Sequence, residues 1–414
     1  MENMHSGFAG LTHDTIFGLL GQHLFGVPFA PEQGVDWEAV LRESRNQAVF
    51  GQVFANCYQL PGVDKEMQDG LWNLLAKTTM KNMRVHAQHT DLHKLMTAHG
   101  IAYVTLKGAA SARYYPDPQS RAMGDVDFYV AESDFDRALT VFQDAGFEAS
   151  GLDHICHVVL RKGRVHMEMH RMPAGVPDGE VGEIVKGYLS TLREDACLVR
   201  SSLVTCRCPS DFHHGLIMLM HMQHHLLAEG IGLRHLCDWA VFVNHFRGEE
   251  FPELFREKLM AVGLWKLARL LSVCAAEYLG LPQQRWMIER ETDRELAHAL
   301  MADILTGGNF GSKDRQRAYE GMFISNRGKD GVQNNRIGHG FQALTRITYM
   351  KYPFIEKHPV LLPFGWAAAV GGYLVRTRER NQRGQDIHAF SAFQKSAGRI
   401  SLYQQLGLYE PEQE

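Results

Sequence analysis

The stretch GDVDFYV, residues 124–130, places two aspartates one residue apart in a run that otherwise reads as a buried β-strand. Because alternate residues of a strand share a face, Asp125 and Asp127 point the same way and the apolar residues between them point the other way. Two carboxylates this close repel each other unless a cation lies between them. Hard oxygen ligands in this arrangement suit Mg²⁺, which shares its coordination shell with substrate phosphates.

A β-hairpin downstream offers a third acid. The segment HVVLRKGRVHMEMH, residues 157–170, alternates apolar and polar residues, with Lys162-Gly163 at the turn. Glu168 lies on the polar face of its second strand, which could pair beside the 124–130 stretch. Three acids on neighbouring strands favour a two-metal site for phosphoryl chemistry. The alternative is an edge strand that carries acids on its solvent face and has no catalytic role.

The pattern of elements around these strands predicts an α+β fold. IAYVTL, residues 101–106, reads as a strand, and the helix after the 124–130 stretch is expected to start at Ser133 and to end at Gly146. Upstream, Asp36 can cap one helix and a second helix is expected over roughly 79–99.

The chain is therefore divided into three predicted regions. A helical N-terminal region covers residues 1–78, a small mixed-sheet core covers 79–172, and a large helical C-terminal region covers 173–414.

The first strand of the core ends at Lys107-Gly108, and a helix-forming stretch follows. A glycine at a strand-to-helix turn lets a phosphate approach the backbone N–H groups of the helix start. Lys107 and Arg121 supply cations near this turn, which favours phosphate binding.

These residues resemble a family of uncharacterised bacterial nucleotidyltransferases in the polymerase-β-like superfamily. The family pattern runs L-K-G, Y-P, R, D-[IV]-D and then [DE]-[LIM]-H. The chain matches it with LKGAASARYYPDPQSRAMGDVDFYV, residues 106–130, and MEMH, residues 167–170. The resemblance is specific over roughly 101–170.

The resemblance implies a role for each matching position. Asp125, Asp127 and Glu168 would be the catalytic acids and the ligands of two Mg²⁺ ions, with an NTP such as ATP as substrate. Gly108 would lie against the triphosphate. The expected nucleotide-binding residues are Lys107, Gly108, Ser111 and Arg121.

A helical segment further along matches the family's H-x-x-x-H…R-x-x-x-D pattern less closely. It adds His221, His225, Arg234 and Asp238 as candidate cleft residues, and His170 joins them from the strand of Glu168. Other interpretations stay open: a transition-metal site at the two helical histidines, an ordinary ion pair between Arg234 and Asp238, and a structural His170.

The sequence thus predicts a Mg²⁺-dependent nucleotidyltransferase that moves an NMP group from an NTP to an unknown acceptor hydroxyl or phosphate, on a small molecule or a protein. The alternative is a catalytically weakened nucleotide-binding or scaffold protein, because Ala109 stands where the superfamily has Gly or Ser. A third hypothesis is a His/Asp metal phosphohydrolase built on residues 213–238.

Composition indicates which partners and which cellular compartment to expect. The net charge of −4 gives no overall attraction to nucleic acid, which is not expected as a partner. Seven cysteines and no visible signal peptide favour a reduced, cytoplasmic protein. The uncharged stretch 359–375 is at the lower limit for a membrane span; a buried or membrane-adjacent helix is favoured.

Overall fold

The computed structural model describes residues 10–57, 60–152 and 156–314, together with short stretches between 317 and 412. Twelve α-helices lie in the described residues up to 314: α1 (Leu11–Phe25), α2 (Trp37–Asn46), α3 (Phe50–Val53), α4 (Lys65–Ala98), α5 (Ala109–Ala112), α6 (Glu132–Asp144), α7 (Gly179–Leu189), α8 (Asp211–Leu227), α9 (Leu233–Val243), α10 (Glu250–Ala261), α11 (Trp265–Leu279) and α12 (Thr292–Gly307).

Within the described residues, seven strands form two sheets. They are β1 (Val104–Thr105), β2 (Val126–Tyr129), β3 (Glu148–Ser150), β4 (His157–Lys162), β5 (Val165–His170), β6 (Cys197–Arg200) and β7 (Thr205–Cys208). The larger sheet has the order β1-β2-β5-β4-β3, and β6 and β7 form a separate pair. Strands β2 and β5 are parallel, whereas the other pairs of the large sheet are antiparallel. The predicted α+β fold with a small mixed sheet is confirmed.

Alternation along β2 fixes how the large sheet is buried. Val126 and Phe128 are fully buried in an apolar cluster with Phe135 and Phe142 of α6. Residues between them must point to the opposite side of the sheet, so Asp127 is directed away from this cluster. The strand therefore anchors itself with apolar side chains and presents its acid on the other face.

A second and larger apolar cluster joins the two helical regions. It contains side chains of the N-terminal helices α1–α3 together with those of α8–α12. Trp239, Phe251 and Trp265 are fully buried in it and form close ring contacts. The N-terminal and C-terminal helices thus share one core beside the sheet; the division of the chain at residues 78 and 172 stays a prediction.

Local predictions had mixed outcomes. Asp36 caps α2 as expected, with its side chain accepting from Ala39 N. The hairpin of β4 and β5 is also confirmed. The helix expected over 79–99 begins much earlier, at Lys65, because Asp64 caps it. The Ser133 cap is wrong: α6 already begins at Glu132, and Ala131 takes the N-cap position.

The uncharged stretch near residue 359 lies only partly in the described chain. Among the residues that the structure describes, no helix combines the length and apolar character needed to cross a membrane. Residues 369–375 of the stretch lie outside the described residues.

The buried carboxylate of Glu43 connects α2 to the loop after α12 through an ion pair. Glu43 accepts a hydrogen bond from Gln47 at 2.9 Å and pairs with Lys313 Nζ at 3.0 Å. Burial alone would raise the pKa of Glu43. The hydrogen bonds from His13 and Gln47, and then the contact with Lys313, instead lower this pKa to about 2.

The depressed pKa of Glu43 predicts an acid-dependent loss of stability. A carboxylate with a folded pKa below its unfolded value stabilises the fold above the unfolded value and loses this effect as pH falls. We expect the difference in free energy of unfolding between wild type and Glu43→Gln to shrink as pH falls from about 5 to about 2. Urea denaturation across this range measures it, and a difference that does not vary with pH would contradict the assignment.

Two helical glycines predict opposite effects of one substitution. A Cβ at Gly215 of α8 would lie 2.6 Å from Phe255 Cε1, whereas a Cβ at Gly187 of α7 meets nothing within 4 Å. Gly215→Ala should destabilise by about 1–3 kcal/mol through overpacking. Gly187→Ala should stabilise by up to about 1 kcal/mol through helix propensity. Thermal unfolding compares them, and equal shifts would show that the α8 contact is not tight.

Candidate active site

The turn before α5 brings the backbone close to His89 of α4. Gly108 has φ 64°, in the region that favours glycine, and a Cβ there would lie 3.0 Å from His89 Nε2. The glycine precedes α5 as the sequence predicted, but that helix is only four residues long. Ser111, its third residue, is buried.

The parallel pairing of β2 and β5 sets the positions of the acids. Asp127 is directly opposite Glu168 in the register. Asp125 precedes β2 by one residue, and His166 Nδ1 lies 3.5 Å from its Oδ2. Ligand atoms of Asp125, His166 and Glu168 all lie within 4.8 Å of one another, and a second such group joins Glu168 to His157 and His170.

Asp127 already has two partners of opposite charge. Its Oδ2 lies 3.2 Å from Lys107 Nζ, and its Oδ1 lies 3.2 Å from His170 Nε2. Asp127 is only 4% exposed, and burial alone would raise its pKa. The contacts with Lys107 and His170 nevertheless hold the pKa of Asp127 well below its usual range. The carboxylate therefore stays charged inside the protein.

His170 connects two of the acids. Its Nε2 also lies 3.4 Å from Glu168 Oε2. Burial alone would lower the pKa of His170, but Asp127 and Glu168 raise it above its usual value. The hydrogen bond from His170 in turn lowers the pKa of Glu168.

Asp125 lacks such compensation. Burial raises its pKa, and the nearby charges of Asp127 and Glu168 raise it further. A divalent cation beside this carboxylate would offset the repulsion. The donor set of Asp125, His166 and Glu168 therefore fits a divalent metal ion, whereas Asp127 belongs to neither group of candidate ligands.

Arg121 has a structural partner. It forms a bidentate pair with Asp238, with Nε–Oδ1 and Nη2–Oδ2 distances of 2.7 Å each. Tyr115 donates to the same carboxylate at 2.8 Å, and its hydroxyl adds to a fully buried network. Asp238 thus pairs with an arginine from the loop before β2, and among the described residues it forms no ion pair with Arg234 of its own helix.

The candidate histidines of α8 lie beside Lys107. His221 Nε2 lies 3.2 Å from Lys107 Nζ and 3.0 Å from His225 Nε2. His225 Nδ1 contacts Glu229 at 3.2 Å. Burial and the nearby positive charge of Lys107 lower the pKa of His221 well below its usual value. Among the described residues, these two histidines belong to no group of three metal ligands.

Arg234 lies near these histidines, and its charge is among those that lower the pKa of His221. Its guanidinium carbon is 5.4 Å from the centre of the Phe310 ring, and its Nε is buried with no hydrogen-bond partner among the described residues. Burial and the charge of Arg121 lower the pKa of Arg234. A buried guanidinium nitrogen that lacks an acceptor is suited to bind an anion.

The geometry adds residues that the sequence analysis did not select. His166 lies on the strand of Glu168, two residues before it, and the spacing of two could have indicated a shared face. Asn82, His86 and His89 lie on the buried side of α4. Both ring nitrogens of His89 are buried and have no hydrogen-bond partner among the described residues. The sequence did contain a signal for these three residues of α4, because polar side chains on the apolar face of a helix are uncommon.

Comparison with known proteins identifies the family of this chain. A family model described as "Uncharacterised nucleotidyltransferase" matches residues 33–280, which is more than half of the chain. The matched range includes the acids on β2 and β5 as well as helices α8 and α9. Neither the search of curated proteins nor that of solved structures found a match.

The pair of Arg121 and Asp238 generates a stability prediction. Arg121→Met leaves a buried carboxylate without its partner and should destabilise by about 3–5 kcal/mol. The double variant Arg121→Met/Asp238→Leu removes both charges and should recover part of this loss. Urea denaturation measures both, and a loss below about 1 kcal/mol for the single variant would show that the pair is not structural.

Proposed function

This chain belongs to the uncharacterised nucleotidyltransferase family, and from that membership we propose that it moves a nucleoside monophosphate from an NTP to an acceptor in a Mg²⁺-dependent reaction. Family membership makes it a nucleotidyltransferase enzyme. The metal, the nucleotide and the acceptor are part of the proposal.

The observation that carries the proposal is the register of β2 against β5. It aligns Asp127 with Glu168, and Asp125 lies close enough for both carboxylates to raise its pKa. Asp125, Asp127 and Glu168 are proposed to hold Mg²⁺. When bound, the ion would neutralise charge on the phosphate oxygens of the nucleotide and on the leaving pyrophosphate.

In the proposed step, an acceptor oxygen forms a bond to the α-phosphorus. The bond from the α-phosphorus to the bridging oxygen of the β-phosphate breaks, and its electron pair leaves with pyrophosphate. The acceptor's proton, where it has one, passes to Glu168 or to Asp125, which act as candidate bases. Catalysis then depends mainly on positioning and charge stabilisation.

Lys107 is proposed to exchange partners during the cycle. Its Nζ contacts both Asp127 and His221 at 3.2 Å, so the lysine neutralises the buried carboxylate when no cation is present. When a metal takes over this neutralisation, Lys107 is free to turn to a phosphate of the nucleotide. His221 and His225 line the side on which this turn would occur.

We propose that the two arginines have different tasks. Arg234 has an unpaired buried nitrogen and is the candidate phosphate ligand beside Lys107 and Gly108. Arg121 acts as a positioning residue, because Asp238 occupies its Nε and Nη2 atoms. The pair holds the loop that leads into β2, which carries the acids. Ser111 is buried on α5, the short helix that follows Gly108, and is proposed to stabilise the turn at that glycine.

A nucleotide-binding scaffold is the second candidate. The observation that favours it is the neutralisation of Asp127 by Lys107 and His170, together with Ala109 after the glycine. If Lys107 stays in place with nucleotide bound, the protein would bind NTP and release no pyrophosphate. Calorimetry combined with a pyrophosphate assay distinguishes binding alone from turnover.

The acid cluster predicts a loss of Mg²⁺-dependent transfer on neutralisation. We expect Asp127→Asn to slow label transfer from α-labelled NTP, with a filtered cell extract as the acceptor source, by on the order of 100-fold. Glu168→Gln, which changes a more exposed side chain, should have a similar effect. Asp144→Asn, an exposed acid of α6, is the matched control. Full activity in both site variants would overturn the proposed metal site.

A further inference from the structure

A cavity of about 500 Å³ opens beside Asp125, and Gly108 is not among its lining residues. Lys81 and Arg84 of α4 line one wall, and Arg164 from the turn between β4 and β5 lines another. Asp125 and His166 also line the cavity. The cavity therefore adjoins the carboxylates that are proposed to hold the metal.

The cations of this cavity have no partners in the described chain. Lys81, Arg84 and Arg164 form no ion pair or hydrogen bond through their side chains with any residue that the structure describes. The carboxylate in the lining, Asp125, is already 3.5 Å from His166. Three positive charges thus face one carboxylate, and the cavity has a positive excess.

This excess of positive charge favours the binding of an anion in the cavity. Lys81 and Arg84 are three residues apart on one helix, where like charges repel and destabilise slightly. Arg164 adds a third cation from a separate element, so the spacing within one helix does not explain the cluster. Arginine guanidinium groups match phosphate oxygens with paired hydrogen bonds. A phosphate group is the ligand that suits this charge and these donors.

We propose that this cavity binds the phosphate group of the acceptor, so that the acceptor is a small phosphomonoester. The assignment rests on the proposed function, because it takes Lys107, Gly108 and Arg234 as the nucleotide's side of the acids. The second substrate then approaches from the side of Asp125. A volume of about 500 Å³ accommodates a small polar molecule with one phosphate, whereas a protein acceptor would need a larger surface.

The test compares two triple variants that lose the same number of positive charges. The cavity variant carries Lys81→Gln, Arg84→Gln and Arg164→Gln. The control variant carries Lys65→Gln, Lys94→Gln and Arg247→Gln. All six side chains are exposed, so both variants should keep the wild-type melting temperature.

Glycerol 3-phosphate is the probe, and glycerol is its phosphate-free counterpart. Ligand-observed NMR titrations at fixed ionic strength measure each affinity for the full chain, with and without Mg²⁺ and a non-hydrolysable NTP analogue. The cavity variant should bind the phosphate probe about tenfold more weakly than wild type, since charge-assisted hydrogen bonds are lost. The control should stay within about twofold of wild type, and glycerol should not bind.

Binding of the NTP analogue separates this proposal from the proposed function. All three proteins should bind the analogue with equal affinity. If the cavity variant loses analogue and probe together, the cations hold the triphosphate and the acceptor assignment is overturned. Equal probe affinity in wild type and cavity variant, or no probe binding by wild type, also overturns it.

If wild type fails to bind the analogue, the proposed function fails. The phosphate site is then judged by the titrations without analogue, and a loss confined to the cavity variant supports an anion site at Lys81, Arg84 and Arg164.

Discussion

The parallel pairing of β2 with β5 is the constraint on which the site depends. It aligns Asp127 with Glu168 across one ladder and brings Asp125 close to both. Such a group of acids is unstable without countercharge. The protein supplies part of that countercharge itself through Lys107 and His170, which hold Asp127 in its charged form in a buried setting. Asp125 receives less countercharge, and burial together with the charges of Asp127 and Glu168 raises its pKa.

Much of the sheet could be predicted from the sequence because its signals are local. Strict alternation in β5 and the lysine-glycine turn indicated the hairpin, and the apolar residues of β2 indicated its buried face. The predicted helix start at Ser133 was wrong because only Val130 and Ala131 separate β2 from α6, so that Ala131 takes the cap position. The first half of α4 was missed because it buries little: between its start and residue 78, only Leu71 is fully buried.

The partners of the charged residues could not be predicted, because they are distant along the chain. Asp238 is four residues after Arg234, which suggested a pair within one helix, yet the structure joins it to Arg121 from the loop before β2. Lys107 likewise meets His221 of α8 across more than a hundred residues. Helical spacing restricts neighbours on one element only. The fold decides which elements meet, and with them which of two arginines keeps an unpaired nitrogen.

Helix α4 is a single rod of 34 residues, about 50 Å long at the usual rise per residue. Leu71 near its beginning is embedded among the helices, whereas Val85, Leu92 and Met96 are embedded beneath the sheet. A continuous helix that is packed into a different apolar cluster at each end resists bending between them. Any displacement of the sheet against the helices would have to bend α4, so we expect this helix to limit such movement.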